Sequence, residues 1–105
     1  MKMINVFVSR IVFSLLLLGS TLSAGFASEL SITVWKTPTC GCCQTWVDYL
    51  GNNGFTVTAY DVEDVVPIKQ ELGLTNPALY SCHTALIDVY IVEGHVPVSD
   101  IRRLL

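Results

Sequence analysis

The 105-residue sequence contains no internal repeat, no low-complexity tract and no methionine after Met3. The first two absences exclude a repeat array, and the third removes thioether sulfur from any site in the body of the chain. Basic residues are scarce as well. Beyond residue 27 only Lys36, Lys69, Arg102 and Arg103 stand against nine carboxylates, a net charge of −5. Nucleic acid and anionic lipid are therefore excluded as electrostatic partners. A long apolar run occurs once, at the N-terminus, and nothing after it is long enough to span a bilayer.

That single run has the layout of a secretory signal. Lys2 and Arg10 supply a basic region, Ile11 to Leu18 is apolar apart from Ser14, and Gly25 and Ala27 fit a small-x-small cleavage site before Ser28. Even counted from Ile4, the run falls short of the ~20 residues of a membrane-spanning helix. The expectation is a signal peptide over 1–27 and a soluble, exported domain over 28–105. So short a domain is near the lower limit for a self-sufficient core, and its four cysteines suit it for a disulfide or metal staple.

Alternation and helical spacing then give an order of elements. Leu30, Ile32 and Val34 share one face of a strand, and Trp46, Val47 and Leu50 share one face of a helix that Gly51-Asn52-Asn53-Gly54 stops. Phe55 to Tyr60 alternates as a second strand. Asp61, Glu63 and Asp64 precede a helix carrying Val65, Ile68 and Leu72, where carboxylates complement the positive helix end. Thr84 to Val92 reads as one long strand or a hairpin, and Ser99 to Leu105 begins a last helix. The order β-α-β-α-β-(β)-α predicts a small mixed sheet with flanking helices, of thioredoxin/glutaredoxin type, short at its C-terminus.

The chemistry concentrates in Cys40-Gly41-Cys42-Cys43, at the junction of the first strand and first helix. Unpaired N–H groups at a helix start favour thiolate, the form that attacks disulfides and binds soft metals. Gly41 is expected to let the backbone turn tightly enough for the sulfurs to converge. Three uses remain open from the residues. Cys40 and Cys43 alone make a C-x-x-C redox pair, with Cys42 as an intruding third thiol. Three convergent thiolates suit Cu(I) or zinc. Structural disulfides are the third use, in an oxidising compartment. Adjacent Cys42 and Cys43 pair only through a strained ring, so Cys82 is the remaining partner, expected beside the cluster because the third strand should start where the first one ends. His83 is placed by its neighbour Cys82 as a ligand or ligand support, and His95 is the other histidine of the chain.

Three segments together resemble a bacterial domain-of-unknown-function family of metal-binding proteins, the copper-resistance CopG type, which is unrelated to the ribbon-helix-helix regulators of that name. They are Lys36-Thr37-Pro38-Thr39-Cys40-Gly41-Cys42-Cys43, Ser81-Cys82-His83-Thr84-Ala85 and Glu93-Gly94-His95-Val96-Pro97 with Asp100-Ile101. The resemblance implies a thioredoxin-like periplasmic protein that serves copper handling or resistance. It implies Cys40, Cys42, Cys43 and Cys82 as copper ligands, with His83 and His95 at the family's histidine positions. Cu(I) is favoured over zinc, with copper ions and other periplasmic copper-handling proteins as partners. The resemblance also leaves room for an activity that interconverts Cu(I) and Cu(II). The rival reading is a thiol-disulfide oxidoreductase using Cys40 and Cys43. Thioredoxin-type enzymes carry a proline before the third strand, whereas this chain has Ser81-Cys82-His83-Thr84. Two departures from the family pattern are visible: the chain stops at Leu105, and Val89 stands where glycine is usual in an Asp-Gly turn, a position a β-branched residue resists.

Export is tested by fusing residues 1–28 to a reporter active only in the periplasm. Activity with a processed N-terminus near Ser28 is expected, and an inactive, full-length cytoplasmic fusion contradicts the signal-peptide reading.

Overall fold

The computed structural model describes residues 30–105, and the expected signal peptide and its cleavage site lie outside them. No helix among the described residues is long and apolar enough to cross a membrane. The elements are β1 (Ser31–Lys36), α1 (Gly41–Asn52), β2 (Thr56–Asp61), α2 (Val66–Glu71), a short 3-10 turn (Pro77–Leu79), β3 (His83–Ile87), β4 (Tyr90–Val92) and α3 (Val98–Leu104). The strands form one mixed sheet in the order β2-β1-β3-β4. β1 and β2 run parallel, joined by the α1 crossover, while β3 is antiparallel to both β1 and β4. This is the expected α/β, thioredoxin/glutaredoxin-like architecture.

One face of the sheet carries the core. Ile32 and Val34 of β1, Ala85 and Ile87 of β3 and Val92 of β4 pack with Trp46 and Leu50 of α1, Phe55, and Val98 and Ile101 of α3. The period-two and period-four patterns of the sequence select these residues, because each element has one stripe to bury. Burying one such side chain contributes about 1.5–3 kcal/mol. The edge strand β2 is mostly exposed, with Tyr60 stacked on Trp35 at 6.3 Å between ring centroids.

Thr84 to Val92 resolves as a hairpin whose turn stays at Asp88 and Val89. The anticipated conflict with Val89 does not arise, because the left-handed conformation falls on Asp88, with φ 53°. Aspartate tolerates that region far better than valine, so the turn closes without glycine.

Asp64 accepts a hydrogen bond from Val66 N at 2.9 Å and so serves the start of α2 as expected. Asp61 is used differently, pairing with the buried Lys36 across the β1–β2 register. Lys69 was not anticipated. It sits four residues after Val65 and three before Leu72, on the buried stripe of α2, and is fully enclosed. Its ammonium donates to Glu93 Oε2 and to the His83 carbonyl, each at 2.7 Å, and lies over the Tyr80 ring.

Glu93 completes this buried ion pair. Desolvation alone would raise its carboxyl, but the Lys69 ammonium and the N–H and hydroxyl of Ser81 together hold it below the ordinary carboxylate value. The folded pKa is depressed, so the pair's stabilisation is complete above the unfolded value of 4.5 and is lost as pH falls through the lower folded one. Glu93→Gln strands the Lys69 charge and is expected to cost about 3–5 kcal/mol in urea unfolding at neutral pH. The double variant Lys69→Met/Glu93→Gln removes the stranded charge and should recover much of that loss. A Glu93→Gln protein as stable as the parent contradicts the assignment.

Candidate metal centre

The two motifs that carry the cysteines meet because β1 and β3 are antiparallel neighbours. Lys36, the last residue of β1, pairs with His83, the first of β3. The chain leaving β1 therefore passes the chain arriving at β3. Cys40, Cys42 and Cys43 follow the first, and Cys82 ends the second. All four Sγ atoms lie within 4.8 Å of one another.

The local geometry of the first motif comes from the helix start. Cys40 is the N-cap of α1, in an extended conformation, and its sulfur accepts the Cys43 N–H at 3.3 Å. Cysteine here takes the position that serine or aspartate usually fills, satisfying one of the open N–H groups of the first turn. Gly41 is the first helical residue, without a left-handed φ, and a Cβ there would meet nothing within 4 Å. The expected need for glycine at this point is thus corrected: helical rise and the N-cap bring the sulfurs together.

The four cysteines are not equivalent. Cys43 faces the core and is fully buried, Cys40 is half-buried, and Cys42 and Cys82 are exposed. Cys40 and Cys43 are joined in a disulfide, while Cys42 and Cys82 are free thiols. The Cys42 sulfur lies 3.5 Å from that of Cys40.

His83 and His95 lie outside that tight group, and His83 follows Cys82 directly as the first residue of β3. The His83 ring stacks with Trp46, at 4.6 Å between centroids, and with His95, at 5.5 Å. His83 is fully buried, and its Nε2 faces the Gly94 carbonyl at 2.9 Å, which makes Nε2 the protonated nitrogen. Nδ1 then carries a lone pair, buried and without a hydrogen-bond partner. Burial pushes the imidazole below the ordinary histidine value, outweighing the Gly94 bond that raises it, and nearby His95 lowers it further. Trp46 is fixed in turn by its Nε1 donating to the Val96 carbonyl at 3.1 Å.

A polar clasp that sequence reasoning missed holds the Cys82 segment in place. Ser81 donates its N–H and its hydroxyl to Glu93 Oε2, each at 2.9 Å, and accepts from Gly94 N at 3.0 Å. Lys69 ties the His83 carbonyl to the same carboxylate. Gly94 adopts φ 80°, a conformation open to glycine, and so presents N–H to Ser81 and C=O to His83 at once. The available signals were a lysine on the apolar stripe of α2 and the pairing of Ser81 with the Glu93-Gly94 segment.

As a donor set, four cysteine sulfurs within one sphere suit a soft cation. Sulfurs around a tetrahedral thiolate-bound metal, at about 2.3 Å each, stand about 3.8 Å apart. The observed spread accommodates that arrangement once the Cys40–Cys43 bridge is reduced. The bridged state instead presents a C-x-x-C disulfide at a helix start, with two thiols alongside.

Comparison with known proteins follows the same lines. Residues 79–105 match the family model described as a protein of unknown function, DUF411. Two solved structures, both named copper resistance protein CopG (forms 1 and 2), align with TM-score 0.68 and 43% sequence identity. Each alignment covers 72% of this chain and 60% of the other, so the chain spans less than two thirds of the length of these proteins. No curated protein sequence matches the chain. The cysteine cluster and these neighbours fit copper handling. The chain is thus similar to the DUF411 family over its last 27 residues and to CopG, at 43% identity, over 72% of its length.

Proposed function

We propose that the protein is exported to the periplasm and binds copper there, serving copper handling or resistance through Cys40, Cys42, Cys43 and Cys82. The observation that carries the reading is the convergence of all four sulfurs within 4.8 Å, from two segments distant in sequence. Copper is the cargo. Reduced thiolates select Cu(I) over zinc because soft donors favour the softer ion. The likeness to proteins named for copper resistance supports the same choice of metal.

Each residue has a task in this reading. Cys42 and Cys82 face solvent and are the sulfurs an arriving ion meets first, while Cys43 closes the site from the core side. The Lys69–Glu93–Ser81 clasp keeps Cys82 in register with the helix start. His83 and His95 are proposed as nitrogen donors at the same end of the sheet, His83 through its unpartnered Nδ1.

One observation favours a second reading. The Cys40–Cys43 disulfide at the start of α1 is the arrangement of a thiol-disulfide oxidoreductase. A Cys42→Ser variant separates the two. It leaves the Cys40/Cys43 pair able to close, yet removes one of the four copper sulfurs.

For the copper reading, Cys42→Ser and Cys82→Ser should each weaken Cu(I) binding by the fully reduced protein about 10–100-fold or more in a competition titration. Excess zinc should leave bound Cu(I) in place. Insulin-reducing activity that is strong in the parent and survives Cys42→Ser, together with unchanged copper affinity, contradicts the copper reading and favours the oxidoreductase.

A further inference from the structure

The bridged state leaves an unequal pair of leftovers. Cys40 and Cys43, the two less exposed cysteines, are consumed by the disulfide, and the two exposed ones remain as thiols. They come from different segments, Cys42 from the first turn of α1 and Cys82 from the residue leading into β3. Their sulfurs belong to the set that lies within 4.8 Å. Two metal–thiolate bonds of about 2.3 Å placed end to end span about 4.6 Å. One cation of low coordination number can therefore sit between Cys42 and Cys82 with little movement of either.

We propose that the disulfide form keeps a second copper site of its own, a two-thiolate Cu(I) site formed by Cys42 and Cys82, so that the cluster has two copper-holding states selected by the Cys40/Cys43 pair. The inference rests on the copper reading above and deepens it. Zinc is disfavoured at this second site, since it takes four ligands in closed protein sites, whereas the tight group holds the two free thiols and no histidine nitrogen. Cu(I) is the soft ion that thiolates select, and the exposure of both sulfurs lets a donor protein or small thiol reach it by ligand exchange. The clasp through Ser81, Glu93 and Lys69 fixes the backbone on either side of Cys82 whichever state the other pair is in. The disulfide thus lowers copper capacity without abolishing it. A copper ion bridging Cys42 and Cys82 also occupies the Cys42 thiolate, whose sulfur lies 3.5 Å from Cys40 and is placed to attack the disulfide.

The experiment compares two redox states of the same purified chain. One sample is fully reduced; the other is oxidised until two thiols remain, with the Cys40–Cys43 bridge confirmed by peptide mapping before and after metal. Both are titrated anaerobically with Cu(I) against a coloured Cu(I) chelator, and in parallel with Zn(II). The oxidised chain is expected to bind one Cu(I) and no zinc, and both thiols should become resistant to alkylation. Cys42→Ser or Cys82→Ser in the oxidised state should weaken that binding at least about tenfold. The Cys40→Ser/Cys43→Ser variant, which has the same two thiols and no bridge, should behave like the oxidised parent. If the reduced chain binds Cu(I) and the oxidised chain does not, the inference falls while the four-sulfur reading stands. If neither state binds, both fall. A bridge that mapping finds moved onto Cys82 overturns the inference as well.

Discussion

The pairing of Lys36 with His83 is the constraint on which the site depends. It is an antiparallel register between the end of β1 and the start of β3, and a parallel arrangement would put their relevant ends at opposite edges of the sheet. Because β1 also pairs in parallel with β2 through the α1 crossover, the start of α1 is fixed above that same edge. A slip of one residue would turn His83 and Ala85 from the core face to the other face of the sheet. The buried stripe of Ile32, Val34, Ala85 and Ile87 opposes such a slip, so the hydrophobic core sets the distance between the two cysteine segments.

Around that register the protein places two buried lysines, an unusual outlay in so small a domain. Lys36 is paired with Asp61 and Lys69 with Glu93, so neither charge is left alone in the interior. Their positions explain their presence: Lys36 immediately precedes the loop to Cys40, and Lys69 holds the carbonyl of the residue after Cys82. Apolar side chains could fill the same volume but could not grip a carbonyl and a carboxylate together. The ion pair therefore works as an orienting contact, joining α2 to the β3 and β4 ends where the cysteine and histidine motifs lie.

Much of this was legible in the sequence because it depends on period and spacing. The strand and helix stripes, the mixed sheet and the approach of Cys82 to the helix start all follow from patterns that recur along the chain. The polar clasp was harder to see, since Ser81, Glu93 and Lys69 are joined only by the tertiary fold and lysine usually marks a solvated face. Gly41 misled for the opposite reason. A glycine between cysteines suggests a sharp turn, but the N-cap geometry of Cys40 supplies the convergence. At Asp88 and Val89 the turn is closed by the aspartate, a tolerance that belongs to its short polar side chain and not to the glycine expected beside it.

The most direct test of the account is X-ray absorption at the copper edge on the fully reduced protein loaded with Cu(I). A single site built from Cys40, Cys42, Cys43 and Cys82 predicts a first shell dominated by sulfur, at about the 2.3 Å of metal–thiolate bonds. All four thiols should be protected from alkylation in the same sample. A first shell of nitrogen and oxygen, with the four thiols still reactive, would contradict the claim that these cysteines hold the metal.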